Sequence, residues 1–90
     1  MLKYVKELVE LCLEVNSKTR NEAFFDLSPH IQSVKVCVYL GGYDEYDRVN
    51  QEEGTKKADG LFKRFQMYYA GELKGVKPEE VIKYLKGLLV

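Results

Sequence analysis

An α+β fold in the order α-β-β-β-α is predicted by three observations. Val34, Val36, Val38 and Leu40 recur at every second position of the run Ile31 to Leu40, the period of a strand with one buried face. Segments of helical period stand near both ends of the chain, over residues 2–16 and 78–89. Two further runs, 22–27 and 61–70, alternate in character as half-buried strands do. Three consecutive strands most economically form an antiparallel meander. Both helices must bury an apolar side, and one face of a three-stranded sheet has room for the two of them.

The first helix is amphipathic. Leu2, Tyr4, Val5, Leu8, Val9, Leu11, Cys12, Leu13 and Val15 fill one side, and Lys3, Lys6, Glu7, Glu10 and Glu14 the other. Lys3–Glu7 and Lys6–Glu10 have the spacing of i,i+4 pairs. The apolar stripe covers about 200°, wider than the roughly 100° that one surface needs. It therefore faces more than the sheet, either a second helix or another subunit. Asn16 would enter that stripe, so the helix is expected to end there.

Asn16 to Asn21 is a polar connector, and strand 22–27 follows, with Ala23, Phe25 and Leu27 on one face and Phe24 and Asp26 on the other. Ser28-Pro29-His30 carries turn chemistry, which makes strands one and two a hairpin. Strand 31–40 ends at Gly41-Gly42. Residues 43–60 are polar without clear period and are expected to form a mobile or functional loop. Its charge is split, net −4 over 43–54 and net +3 over 56–64.

Residues 61–70 fit a helix through Leu61, Phe62, Phe65 and Tyr69. Aromatic density and the flanking Gly60 and Gly71 favour a strand. The last helix opens on Pro78, with Glu79 and Glu80 where the helix dipole favours anions and Lys83 and Lys86 further on. The expected core is Val5, Leu8, Val9, Cys12, Phe25, Val34, Val36, Val38, Leu40, Phe65, Met67, Val81, Leu85 and Leu88.

Ninety residues make one domain, 1–90, near the small end of what folds alone. An apolar fraction of 46% and a charged fraction of 31% are those of an ordinary globular chain. Lysine plus arginine equals aspartate plus glutamate at 14 each, so the basic excess that supports sequence-independent nucleic-acid binding is missing overall. No apolar run approaches the roughly 20 residues of a membrane span. Glu7, Glu10 and Glu14 break up any signal-peptide hydrophobic region, and a cytoplasmic protein is expected. Cys12 and Cys37 lack a CxxC spacing or a neighbouring histidine and read as reduced apolar residues.

No catalytic signature is present. His30, the one histidine, sits in a turn with no placed partner, and the acidic run Asp44, Glu45, Asp47 lacks the calcium-loop pattern. No nucleophile elbow surrounds Ser17, Ser28 or Ser33. Neither an enzyme, a metal site nor a cofactor is expected. The candidate site is the uncovered face of the sheet. Alternation places there Phe24, Asp26, Ser33, Lys35, Cys37, Tyr39, Phe62, Arg64, Gln66 and Tyr68. Phe24, Lys35, Tyr39, Phe62, Arg64 and Tyr68 are its proposed contact residues, aromatic planes and cations that could stack bases or seat a protein. Self-association, as a homodimer, is the simplest use of such a surface.

Two resemblances add to this. The order α-β-β-β-α resembles that of double-stranded-RNA-binding domains. Ser28-Pro29-His30 is similar to that family's first hairpin turn, Val34-Lys35-Val36-Cys37-Val38 to its second strand, and Thr55-Lys56-Lys57-Ala58 to its lysine-rich helix start. The resemblance implies a duplex-RNA contact through Lys35, Lys56, Lys57, Lys63 and Arg64. Asp59 and Gly60 interrupt the corresponding helix, and a helical 61–69 would favour this reading where a strand disfavours it. The run FFDLSPHIQSVKVCVYLGGYDE also resembles the hairpin of small uncharacterised proteins of phages and prophages of Gram-positive bacteria. That resemblance implies a compact accessory protein working by contact rather than turnover, with a protein partner or itself.

Overall fold

The computed structural model describes residues 2–30, 32–68 and 75–90. Helix α1 (Leu2–Lys18) is followed by strands β1 (Glu22–Ser28) and β2 (Ser33–Tyr39), helices α2 (Tyr43–Glu53) and α3 (Thr55–Ala58), strand β3 (Phe62–Tyr68) and helix α4 (Pro78–Leu88). The strands form one antiparallel sheet in the order β1-β2-β3. This is the predicted α+β meander, with helices interposed between its second and third strands.

Register explains the core. Ala23, Val38 and Lys63 lie side by side across the sheet, as do Phe25, Val36 and Phe65, and Leu27, Val34 and Met67. On this face α1 and α4 pack together, so that Leu8, Cys12, Val15, Val81 and Leu85 share one buried cluster with Ala23, Val34, Val36, Val38 and Met67. The wide stripe of α1 is used as its width implies, since its remaining arc meets α4. Glu7 and Lys86 pair there at 3.3 Å. Of the expected core, Val5, Val9, Phe25, Leu40, Phe65 and Leu88 are only partly buried, while Leu11, Ala23, Val15 and Ile82 join the buried set.

Three expectations are corrected. The segment 43–60 is not a loop but α2, α3 and a 3₁₀ turn, Asp59–Leu61. Its helical period is carried by Tyr43, Tyr46 and Val49, and the polar side is tied by Arg48 to Glu45 and Glu52 and by Gln51 to Asp47. Gly42 and Gly54 bound α2 with φ of +95° and +98°, conformations that side-chain-bearing residues rarely adopt.

Second, α1 runs past Asn16 to Lys18. The polar amide can lie at the edge of the apolar stripe because it is satisfied: Nδ2 donates to the Ala23 carbonyl at 2.9 Å, and Oδ1 accepts the Ala23 N–H at 2.6 Å. Third, β2 begins at Ser33, because Gln32 adopts φ +53° in the turn and Pro29 accepts its N–H. Ile31, at the start of the expected strand, lies outside the described residues, as do 69 and 70 at the end of the third.

The other element ends differ by a residue or two. β1 extends to Ser28, β3 covers 62–68, and α4 ends at Leu88. The Leu40 N–H still bonds the Leu61 carbonyl at 2.7 Å, so the β2–β3 ladder reaches one residue beyond each strand. No helix among the described residues is long and apolar enough to cross a membrane.

Candidate functional site on the open sheet face

The face opposite α1 and α4 presents the predicted rows. Glu22, Tyr39 and Phe62 form one, Phe24, Cys37 and Arg64 the next, then Asp26, Lys35 and Gln66, and last Ser28, Ser33 and Tyr68. The turn Gly41-Gly42 returns the chain over the Tyr39 end, and α2 lays two more rings there. Tyr39 is the hub. Its ring centroid is 4.9 Å from Phe62, 5.1 Å from Tyr46, 5.2 Å from Tyr43 and 5.6 Å from Phe24, mostly edge to face, the arrangement aromatic quadrupoles favour.

This hub divides the aromatic set into a packed half and a free half. Phe62 and Tyr46 are partly covered, whereas Phe24 and Tyr43 remain 47% exposed each. Between the exposed rings lies a depression of about 360 Å³ lined by Phe24, Asp26, Lys35, Cys37, Tyr39 and Tyr43. Its far wall is the cross-strand pair Asp26–Lys35, whose charged atoms are 4.0 Å apart.

Burial raises the pKa of the Cys37 thiol, outweighing the opposite pull of Lys35 and Arg64. Burial likewise raises that of the Tyr39 hydroxyl. Both groups stay protonated at neutral pH, and the thiol lacks the thiolate character of a nucleophile. Cys37 and Cys12 are free thiols, and among the described residues no cluster of three metal-ligating side chains occurs.

Of the six proposed contact residues, Phe24, Lys35 and Tyr39 line the depression. Phe62 stands behind it under Tyr46. Arg64 is exposed on β3 next to Cys37, its guanidinium donating to Gln66 Oε1 at 3.3 Å. Tyr68 lies at the other end of β3, six residues and about 20 Å from Phe62, and belongs to a different part of the face.

The basic set is separated more widely. Lys63 is on the helix-covered side and Arg64 on the open side, because neighbours in a strand point oppositely. Lys57 pairs with Glu53 at 3.2 Å, and Lys56 shares with it the single turn of α3. Tyr43 and Tyr46 were not among the sequence-based candidates. Their i,i+3 spacing directly after a glycine pair is the signal that points to them.

Comparison with protein-family models, with curated proteins and with solved structures finds no match.

Proposed function

We propose that this chain is a small non-enzymatic interaction protein, of the accessory kind implied by its resemblance to phage and prophage proteins, working through contacts with a protein partner and with itself. The observation that carries the reading is the pair of half-exposed rings, Phe24 and Tyr43, lining one depression together with Tyr39 and Cys37. Rings held by neighbours lose little freedom when a partner covers them, which is why aromatic side chains dominate contact energetics. The opening suits one apolar or aromatic side chain, and the Asp26–Lys35 pair offers polar partners at its rim.

Two observations weigh against the duplex-RNA reading. The third segment is a strand over 62–68, and the lysines and arginine fall on separate surfaces. The test is amide-shift mapping with short peptides bearing a single Trp, Tyr or Leu, and in parallel with duplex RNA at low salt. The expected result is saturable shifts at residues 24, 35, 37, 39 and 43 with peptide, absent in Phe24→Ser, and none with RNA. RNA binding that weakens steeply with salt, or peptide shifts unaffected by Phe24→Ser, would overturn the reading.

A further inference from the structure

The two edges of the sheet are unequal. The outer edge of β3 is partly closed: the Val76 N–H bonds the Gln66 carbonyl at 3.0 Å, and Gly75 is so close that a Cβ there would lie 2.8 Å from that oxygen. The outer edge of β1 is open along its second half. Because Ala23 gives both backbone groups to Asn16, the odd residues 23, 25 and 27 face outward and the even ones face β2. Among the described residues, nothing takes the outward N–H and C=O of Phe25 and Leu27.

We propose that a second copy of this chain pairs there, β1 against β1, antiparallel across a two-fold axis through Asp26. This names the self-contact in the contact-based reading and rests on that reading, but it uses the backbone edge of β1 rather than the depression itself, with Phe24 and Asp26 of that strand common to both. The argument is one of register. Asn16 occupies the edge at Ala23, and residue 29 is a proline without an N–H. Pairing Phe25 with Phe25 of the second copy would set Leu27 against the blocked Ala23. Pairing Leu27 with Leu27 would set Phe25 against Pro29. Pairing Phe25 with Leu27 makes four hydrogen bonds and sets the two obstructions, Ala23 and Pro29, opposite each other, so that neither costs a bond. An isologous edge that is blocked at matching positions fits itself.

Side chains agree with that register. Leu27 is 49% exposed on the helix side of β1 and would gain Phe25 of the second copy as cross-strand neighbour. Leu13, 63% exposed, lies 60° around α1 from Asn16, on the flank that looks past this edge. On the open side, Asp26 of each copy would meet the other at the axis, with Lys35 behind each, a row of four charges summing to zero. The two central carboxylates repel, and that repulsion provides the distinguishing test.

Sedimentation or light scattering over micromolar to millimolar concentration should show wild type passing from monomer to dimer. Leu27→Pro removes an outward N–H and no bond within the sheet, and should weaken the dimer about tenfold or more. Asp26→Asn should tighten it severalfold, an effect that a merely structural role would not produce. Amide exchange at Phe25 and Leu27 should slow only at dimer-forming concentrations. A concentration-independent monomer overturns the proposal. So does a dimer whose affinity Asp26→Asn leaves unchanged or weakens, whether or not Leu27→Pro folds. Tyr43→Ser, which alters the depression from α2 and lies off the pairing strand, should leave this equilibrium nearly unchanged, so failure of the depression and failure of the edge are separable.

Discussion

Glu22, the first residue of β1, caps a helix that begins 21 residues later: its Oε1 accepts the N–H of Tyr43 at 2.9 Å. The adjacent Asn21 accepts the Gly41 N–H at 2.9 Å through Oδ1. Two side chains at the start of β1 thus hold the β2–α2 turn and fix where Tyr43 and Tyr46 stand over Tyr39. α2 has no side-chain cap from its own N-cap residue, Gly42. One of the orphan donors at its first turn, the Tyr43 N–H, is therefore satisfied by Glu22 instead.

Glu22→Ala is accordingly expected to cost about 0.5–2 kcal/mol and to speed amide exchange at Tyr46 and Val49 more than at Val36. Equal acceleration at all three amides would show that α2 is not separately held. Gly42→Ala should be at least as damaging. Gly42 has φ +95°, and a Cβ would approach Glu22 Oε1 to 3.0 Å and the Arg20 carbonyl to 3.2 Å. A denaturant midpoint within error of wild type for Gly42→Ala would refute that account.

Asn16 supplies a second bridge of the same kind, one amide satisfying both backbone groups of Ala23. Asn16→Ala removes two hydrogen bonds at a partly buried position and should cost about 1–3 kcal/mol. Asn16→Asp keeps the acceptor but loses the donor, and should fall between Asn16→Ala and wild type. Denaturant midpoints at unchanged slope measure the series. Equal stability for all three proteins would exclude the bridge as a stabilising contact.

These two bridges also show where the sequence was legible. Alternating valines are unambiguous at any reading frame, so β2 and both faces of the sheet could be assigned from period alone. Pro78 with its following glutamates likewise marks α4. Asn16 misled because a polar side chain inside an apolar stripe looks like a helix end; only a partner seven residues away in sequence accounts for it. The segment 43–53 misled because Val49 is its only buried residue, and the tyrosines beside it, Tyr43 and Tyr46, stand among carboxylates and read as polar although their rings pack against Tyr39. The Glu22–Tyr43 cap joins residues too far apart for any local motif. The depression was legible but for one side: Phe24, Asp26, Lys35, Cys37 and Tyr39 follow from alternation, whereas Tyr43 depends on α2 folding back.

Packing at the centre of the sheet predicts a graded response. Leu8 of α1 and Val36 and Met67 of the sheet are fully buried in the cluster shared with α4. Leu8→Ala and Met67→Ala should each cost about 2–5 kcal/mol, a large share of the roughly 5–15 kcal/mol available to a domain. Phe24→Ser, on the open face, should change stability by less than about 1 kcal/mol. A Phe24→Ser loss as large as that of Leu8→Ala would mean that the depression belongs to the core and is not a contact surface.

The buried thiol of Cys12 gives the chain an alkaline limit. Burial raises its pKa from 9.0 to about 11, because the thiolate would lose its hydration inside the apolar cluster. A group whose pKa is higher in the folded state favours folding in its protonated form. Its contribution is fully present below pH 9 and declines as pH rises through the folded value, since the unfolded chain releases the proton first. The decline by pH 11 amounts to about 2 kcal/mol. Cys12→Ala should begin less stable at pH 7, from the lost packing, yet fall less between pH 9 and 11 than wild type does. Thiol reagents at neutral pH should modify Cys37 first and reach Cys12 only as fast as the chain unfolds. Parallel stability curves for the two proteins across that alkaline range, or equal labelling rates at the two thiols, would show that Cys12 is not shielded from water as its place beside Leu8 and Val15 requires.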